Sequence, residues 1–254
     1  MASARPRALI AVAYEEAAQA YLRSLPLEHF MEATAQATQR KITLESLDLL
    51  QARRPDVQVF NELLVQYPLP RQRRPGQVVP DNMVVLCDPP ITATTSFNLP
   101  LEPAGPFWVL EYVSKSNKRK DYDDNFDKYE QQLKVPYYLI FYPDTQDLSL
   151  YHHSGKKYVA VRVNKHGRYP VAKLEVEVAL LHGWVRFWYE GELLPLPAEL
   201  QRELDEAKRE TAELRRRLEE EREARLAAER GLAEFRARLE RAPPRRGNGP
   251  KRES

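Results

Sequence analysis

Two apolar segments bracket one helix-like stretch in the middle of the chain, and that arrangement limits the fold most. "FWVLEYV" (107–113) and "VPYYLIFYP" (135–143) are short and rich in β-branched and aromatic residues, so both read as strands. Between them, "DYDDNFDKYEQQL" (121–133) sets Tyr122, Phe126, Tyr129 and Leu133 along one helical face. Asp121 is a candidate N-cap, and the acids after it suit the positive end of the helix dipole. Strand, helix and strand in succession make a βαβ-like unit, and these strands are apolar enough to lie inside a sheet.

The flanking segments extend this unit. Residues 14–25 suit a helix ending at Pro26. A helix or extended entry is expected near 28–38, a helix near 43–53, and a further segment over 56–66. "QVVPDNMVVL" (77–86) reads as strand, turn and strand, or as one bent strand, followed by a Pro-rich loop. "LSLYHHSGKKYVAVRV" predicts a hairpin turning at Ser154-Gly155, and "GWVRFWYEGELL" a further strand or hairpin. The expected fold class is α/β or α+β: a mixed sheet flanked by helices.

After Pro197 the character changes. Setting Leu200 at d and Leu204 at a, nine of the twelve a and d positions through Leu239 are apolar, with Glu221 and Arg225 breaking the seam. This predicts a coiled coil of about six heptads, with self-association as a homodimer. A single charged helix held by i,i+4 pairs is the alternative. The expected organisation is an N-terminal helical extension (1–27), a globular domain (28–198), a coiled-coil helix (199–241) and a disordered basic tail (242–254).

Charge and cysteine content narrow the function classes. The 39 basic residues nearly balance 37 acidic ones, so a case for nucleic acid rests on local clusters and not on bulk charge. One cysteine, Cys87, excludes a disulfide framework, and the histidines lack metal-ligand spacing on a helix. No segment reaches the roughly 18 apolar residues of a membrane span, and the start reads as an amphipathic helix rather than a signal peptide. A cytoplasmic location is expected.

Three residues in chain order suggest chemistry. Asp81 follows Pro80 at the end of one strand segment, Glu111 lies in the next strand, and Lys128 on the helix after it. Two carboxylates at neighbouring strand ends can share a hard divalent cation, Mg²⁺ or Mn²⁺. Such an ion lowers the pKa of a bound water and neutralises charge building on a phosphate, and a lysine can orient the water. Ser114, Lys115, Lys118, Arg119 and Lys120 follow Glu111 and can hold flanking phosphates. Each piece also has a plain reading: a turn, a strand-end glutamate, a solvated loop and an Asp124–Lys128 helix pair.

The run Pro80-Asp81, then Glu111-Tyr112-Val113-Ser114, then Asp121 and Tyr129, then "LKVPYYLIFYP" resembles the Uma-type family of restriction-endonuclease-like proteins. That family lies within the PD-(D/E)XK nuclease superfamily. The resemblance implies Asp81 and Glu111 as metal ligands, with the backbone carbonyl of Tyr112 and Glu32 as further ligands. The superfamily's lysine stands two residues after the strand acid, where this chain has Val113. The Uma-type pattern instead draws a lysine from the following helix. Its usual position falls on Asn125, one turn before Lys128, and Lys120 is the second choice. The implied function is a metal-dependent endonuclease acting on DNA, with the coiled coil pairing two sites for cuts on two strands. The alternative is a catalytically inactive relative that serves as a binding or scaffold protein.

Overall fold

The computed structural model describes residues 6–25, 34–93, 95–113 and 124–241. The chain divides into two compact units, Met1–Leu196 and Pro197–Ser254.

The first unit opens with helices α1 (Arg7–Ser24) and α2 (Thr34–Arg53). The expected break near residue 40 does not occur. The α2 stretch holds neither glycine nor proline to interrupt it, and Leu47 and Leu50 anchor it in the core. Strands β1 (Val57–Asn61), β4 (Asn82–Leu86), β6 (Pro106–Tyr112), β7 (Tyr137–Tyr142), β8 (Asp147–His153) and β9 (Tyr158–Ala160) form a six-stranded sheet ordered β1-β4-β6-β7-β8-β9. Only β6 and β7 run parallel in it, with Glu111 beside Ile140. The helical segment between them, α3, is α-helical over 124–127 and π-helical over Lys128–Leu133, and Lys134 closes it in the left-handed region (φ 51).

Two smaller sheets cover the large one. Strands β2 (Leu64–Tyr67), β3 (Gly76–Val78) and β5 (Ser96–Asn98) form one, in the order β3-β2-β5. Strands β10 (Tyr169–Val171), β11 (Val176–Leu181), β12 (Trp184–Tyr189) and β13 (Glu192–Leu193) form the other, antiparallel throughout. The segments expected over 56–66 and 77–86 therefore each divide between two sheets. Glu62, at φ 47, turns the chain from β1 into β2.

Burial on both faces explains the unbroken apolar run of β6, all of whose residues are buried. Trp108, Leu110 and Tyr112 enter a core with Leu47, Leu50, Leu139, Phe141 and the β11–β12 residues Val178 and Phe187. Val109 and Val113 enter the opposite core with Tyr129, Tyr138 and Tyr158. Strand alternation puts Glu111 on that second face.

The second unit is described through helix α4 (Pro197–Arg241), a single helix of 45 residues. Among the described residues, no helix is long and apolar enough to cross a membrane.

Candidate active site

Asp81 occupies the link between β3 and β4, one residue before the β4–β6 ladder begins with Asn82 opposite Leu110. This register sets Asp81 beside Glu111. The Tyr112 amide donates to Asp81 Oδ2 at 2.6 Å, and Arg40 Nη2 donates to Asp81 Oδ1 at 2.8 Å. The Asp81 and Glu111 carboxyls are neighbours, close enough to influence each other's ionisation. On its other side, Glu111 Oε1 accepts the hydroxyl proton of Tyr129 at 2.7 Å.

Burial pushes the Glu111 carboxyl well above the ordinary range, and the neighbouring Asp81 charge pushes it further. Burial also raises Asp81, against the Tyr112 amide and the Arg40 guanidinium, which favour its charged form. Adjacent carboxylates repel when both ionise, so Glu111, the more buried of the two, is pushed toward its neutral form.

Helix α2 supplies the polar frame. Gln36 Nε2 donates to the Tyr112 carbonyl at 2.5 Å. Gln39 pairs with the Val185 backbone like a strand partner, donating to its carbonyl at 3.1 Å and accepting from its amide at 2.8 Å. Arg40 bridges Asp81 and Glu62, the latter at 2.7 Å. The Tyr112 hydroxyl donates to Asn82 Oδ1 at 2.9 Å and lies 2.6 Å from Thr43 Oγ1. Sequence reasoning misses Gln36, Gln39, Arg40 and Thr43. Their spacing of three, one and three is a polar helical stripe, which at the level of sequence is the same as a solvated face. In the fold Gln39 and Thr43 are fully buried.

Of the sequence-derived candidates, Asp81, Glu111 and the Tyr112 backbone come together. Lys128 is half-buried on the π-helical turn and donates to Asn125 Oδ1 at 3.4 Å. Among the described residues, it makes no ion pair with either carboxylate. Glu32, Ser114, Lys115, Lys118, Arg119, Lys120 and Asp121 lie outside the described residues. Val113, at the superfamily's lysine position, is buried.

The donor set fits a hard divalent cation in kind. Two carboxyls lie together beside the Tyr112 backbone, and a cation would relieve the repulsion that helps raise Glu111. The Tyr112 carbonyl keeps a lone pair beyond the one taken by Gln36. Among the described residues, no group of three His, Cys, Asp or Glu is placed to hold a metal.

No curated protein matches the chain. Among solved structures, a putative nuclease belonging to DUF820 from Anabaena variabilis ATCC 29413 is similar, at 13% identity and a TM-score of 0.43. The match covers 57% of this chain and 75% of that one. The model of the Uma2 family, described as "Putative restriction endonuclease", matches residues 29–181. That span is more than half of the chain and contains the whole Asp81–Glu111–Tyr129 arrangement, and the chain belongs to the Uma2 family.

Proposed function

We propose that the protein is a metal-dependent endonuclease that hydrolyses phosphodiester bonds in DNA, acting in the cytoplasm. The adjacent carboxyls of Asp81 and Glu111, the second buried within the sheet, support this reading most directly. Keeping two acids adjacent in a core costs stability, and a bound cation offsets that cost. Asp81, Glu111 and the Tyr112 carbonyl would hold Mg²⁺ or Mn²⁺, which would supply a lowered water pKa and charge neutralisation at the phosphate. Glu32 is the further ligand in this reading, and Ser114, Lys115, Lys118, Arg119 and Lys120 hold flanking phosphates. Tyr129 fixes the orientation of Glu111, and Gln36 that of the Tyr112 carbonyl. Lys128 is assigned to the attacking water. Arg40 is charged at every working pH, so it neutralises and cannot act as a base.

The unit boundaries of this reading are a nuclease-like domain over 28–198 and a pairing helix over 199–241. The seam residues Leu200, Leu204, Leu214, Leu218, Leu232 and Phe235 are 40–67% exposed in the single chain, which favours burial against a second copy.

A second reading is an inactive scaffold on the same fold. Buried Val113 and the Arg40–Asp81 ion pair favour it, because an arginine already supplies part of the charge a metal would bring. Calorimetric titration with Mn²⁺ and cleavage of plasmid DNA, for wild type and Asp81→Ala, separate the two. Metal binding and cleavage that both vanish in Asp81→Ala support the enzyme. A wild type that binds no Mn²⁺ and leaves the plasmid intact supports the scaffold.

A further inference from the structure

Residues 148–174 contain six lysines and arginines, three histidines and no aspartate or glutamate, in a chain with 37 acids overall. This stretch forms most of β8, the hairpin turn, β9, the link to β10 and β10 itself. Two of the six cations are engaged. Arg168 pairs with Glu177 at 3.1 Å and stacks on Trp188, and Lys173 lies over the Phe107 ring. The other four, Lys156, Lys157, Arg162 and Lys165, are exposed, and among the described residues none makes an ion pair. They leave the β8–β9 turn and the β9–β10 link with four exposed cations outside any ion pair among the described residues.

The surface is tied to the acid pair through α3. Tyr129 reaches Glu111, and the next residue, Glu130, accepts the Tyr158 amide at 2.7 Å. The Glu130 carbonyl lies 3.0 Å from His153 Nε2. Phe126, on the preceding turn, packs against both Tyr151 and Tyr158 at 5.3–5.4 Å. One short helix thus holds the strand acid with one residue and the base of the basic hairpin with its neighbour.

We propose that Lys156, Lys157, Arg162 and Lys165 form a phosphate-binding surface that grips duplex DNA outside the cleavage position. The proposal rests on the endonuclease reading for its partner. Long, exposed, unpaired cations suit the sugar-phosphate backbone, and such binding positions a duplex without reading its sequence. The competing explanation is that the lysines guard β9, the sheet's edge strand, against pairing with other chains.

The test is fluorescence anisotropy of a labelled duplex DNA over a salt series, with wild type and the full-chain variant Lys156→Glu/Lys157→Glu/Arg162→Glu/Lys165→Glu. Thermal melting checks its fold, and calorimetric Mn²⁺ titration checks the acid pair. The expected result is roughly tenfold or more weaker binding at fixed salt, and a log K against log[salt] slope shallower by ~0.9 for each phosphate that the variant leaves unneutralised. Melting and Mn²⁺ binding stay as in wild type. A milder variant, Lys156→Gln/Lys157→Gln, gives a partial weakening. Unchanged affinity and slope in the variant, beside a wild type that binds and cuts DNA, overturn this surface and leave the endonuclease reading intact. New aggregation with unchanged affinity identifies an edge guard and also overturns it. A wild type that binds Mn²⁺ but no duplex overturns the surface too. A wild type that neither binds Mn²⁺ nor cleaves DNA defeats the endonuclease reading and this surface with it.

Discussion

Tyr129 and Glu111 stand 18 residues apart in the chain and meet at 2.7 Å, hydroxyl to carboxyl, with Tyr129 fully buried and Glu111 nearly so. A π-helical turn, Lys128–Leu133, carries Tyr129. Such turns distort a helix to place one side chain, and they concentrate at functional sites.

Tyr129→Phe removes the donor and keeps the ring. Glu111 then loses its hydrogen bond in a buried setting, and the expected cost is about 1–3 kcal/mol, read as a lower Tm. Because that bond favours the charged form of Glu111, its loss raises the carboxyl further. Mn²⁺ binding should weaken by roughly 10–100-fold, as for other residues that orient a metal ligand. Calorimetry with the folded variant checks it.

The acid pair also dictates a pH dependence. Both carboxyls are raised in the fold, so the folded state holds its protons more tightly than the unfolded one. Below the ordinary carboxyl range both states are protonated and no penalty exists. As pH rises through that range toward the raised folded values, the unfolded chain ionises first and the metal-free fold loses stability. Glu111→Gln should therefore raise the metal-free Tm at neutral pH and flatten its fall between acid and neutral pH. Melting curves across that window check this, and a Tm that drops in Glu111→Gln contradicts it.

Arg40 is the one cation bonded to Asp81 among the described residues, at 12% side-chain exposure. Arg40→Gln leaves Asp81 facing Glu111 with no counter-charge. The expected loss is about 3 kcal/mol, the low end for a broken buried pair, since Glu62 is half exposed. Denaturant unfolding measures it. Arg40→Lys should recover only part, because one ammonium lacks the fork that reaches both Asp81 and Glu62.

Pairing through α4 is tested on the intact chain. Leu214→Asp/Leu218→Asp places charges in adjacent layers of the proposed seam, where both leucines are 65–67% exposed in the single chain. Light scattering should show a dimer for wild type and a monomer for the variant, with the melting of the globular unit unchanged. A wild-type monomer removes the pairing helix from the proposal.

The strand–helix–strand core of 107–143 is legible in the sequence because it is written locally. Apolar runs, helical periodicity and turn residues act over a few positions, and β6, α3 and β7 follow from them. The β8–β9 hairpin is legible for the same reason, with Gly155 at φ 92 in its turn. The long heptad stretch likewise forms a helix. Every choice among distant partners stays open at that level. The 77–86 segment splits between two sheets because β3 pairs with β2 and β4 with β1 and β6, pairings that no local pattern encodes. Arg40 meets Asp81 across 41 residues, and the polar stripe of α2 reads as a wet surface until a sheet covers it. Counting along the family pattern from Glu111 leads to Asn125 and Lys128, whereas Tyr129, already on the apolar face with Phe126, is the residue whose side chain reaches Glu111. Local propensity determined the elements, and only tertiary packing decided which polar groups were desolvated, which is the step that raises the two acids.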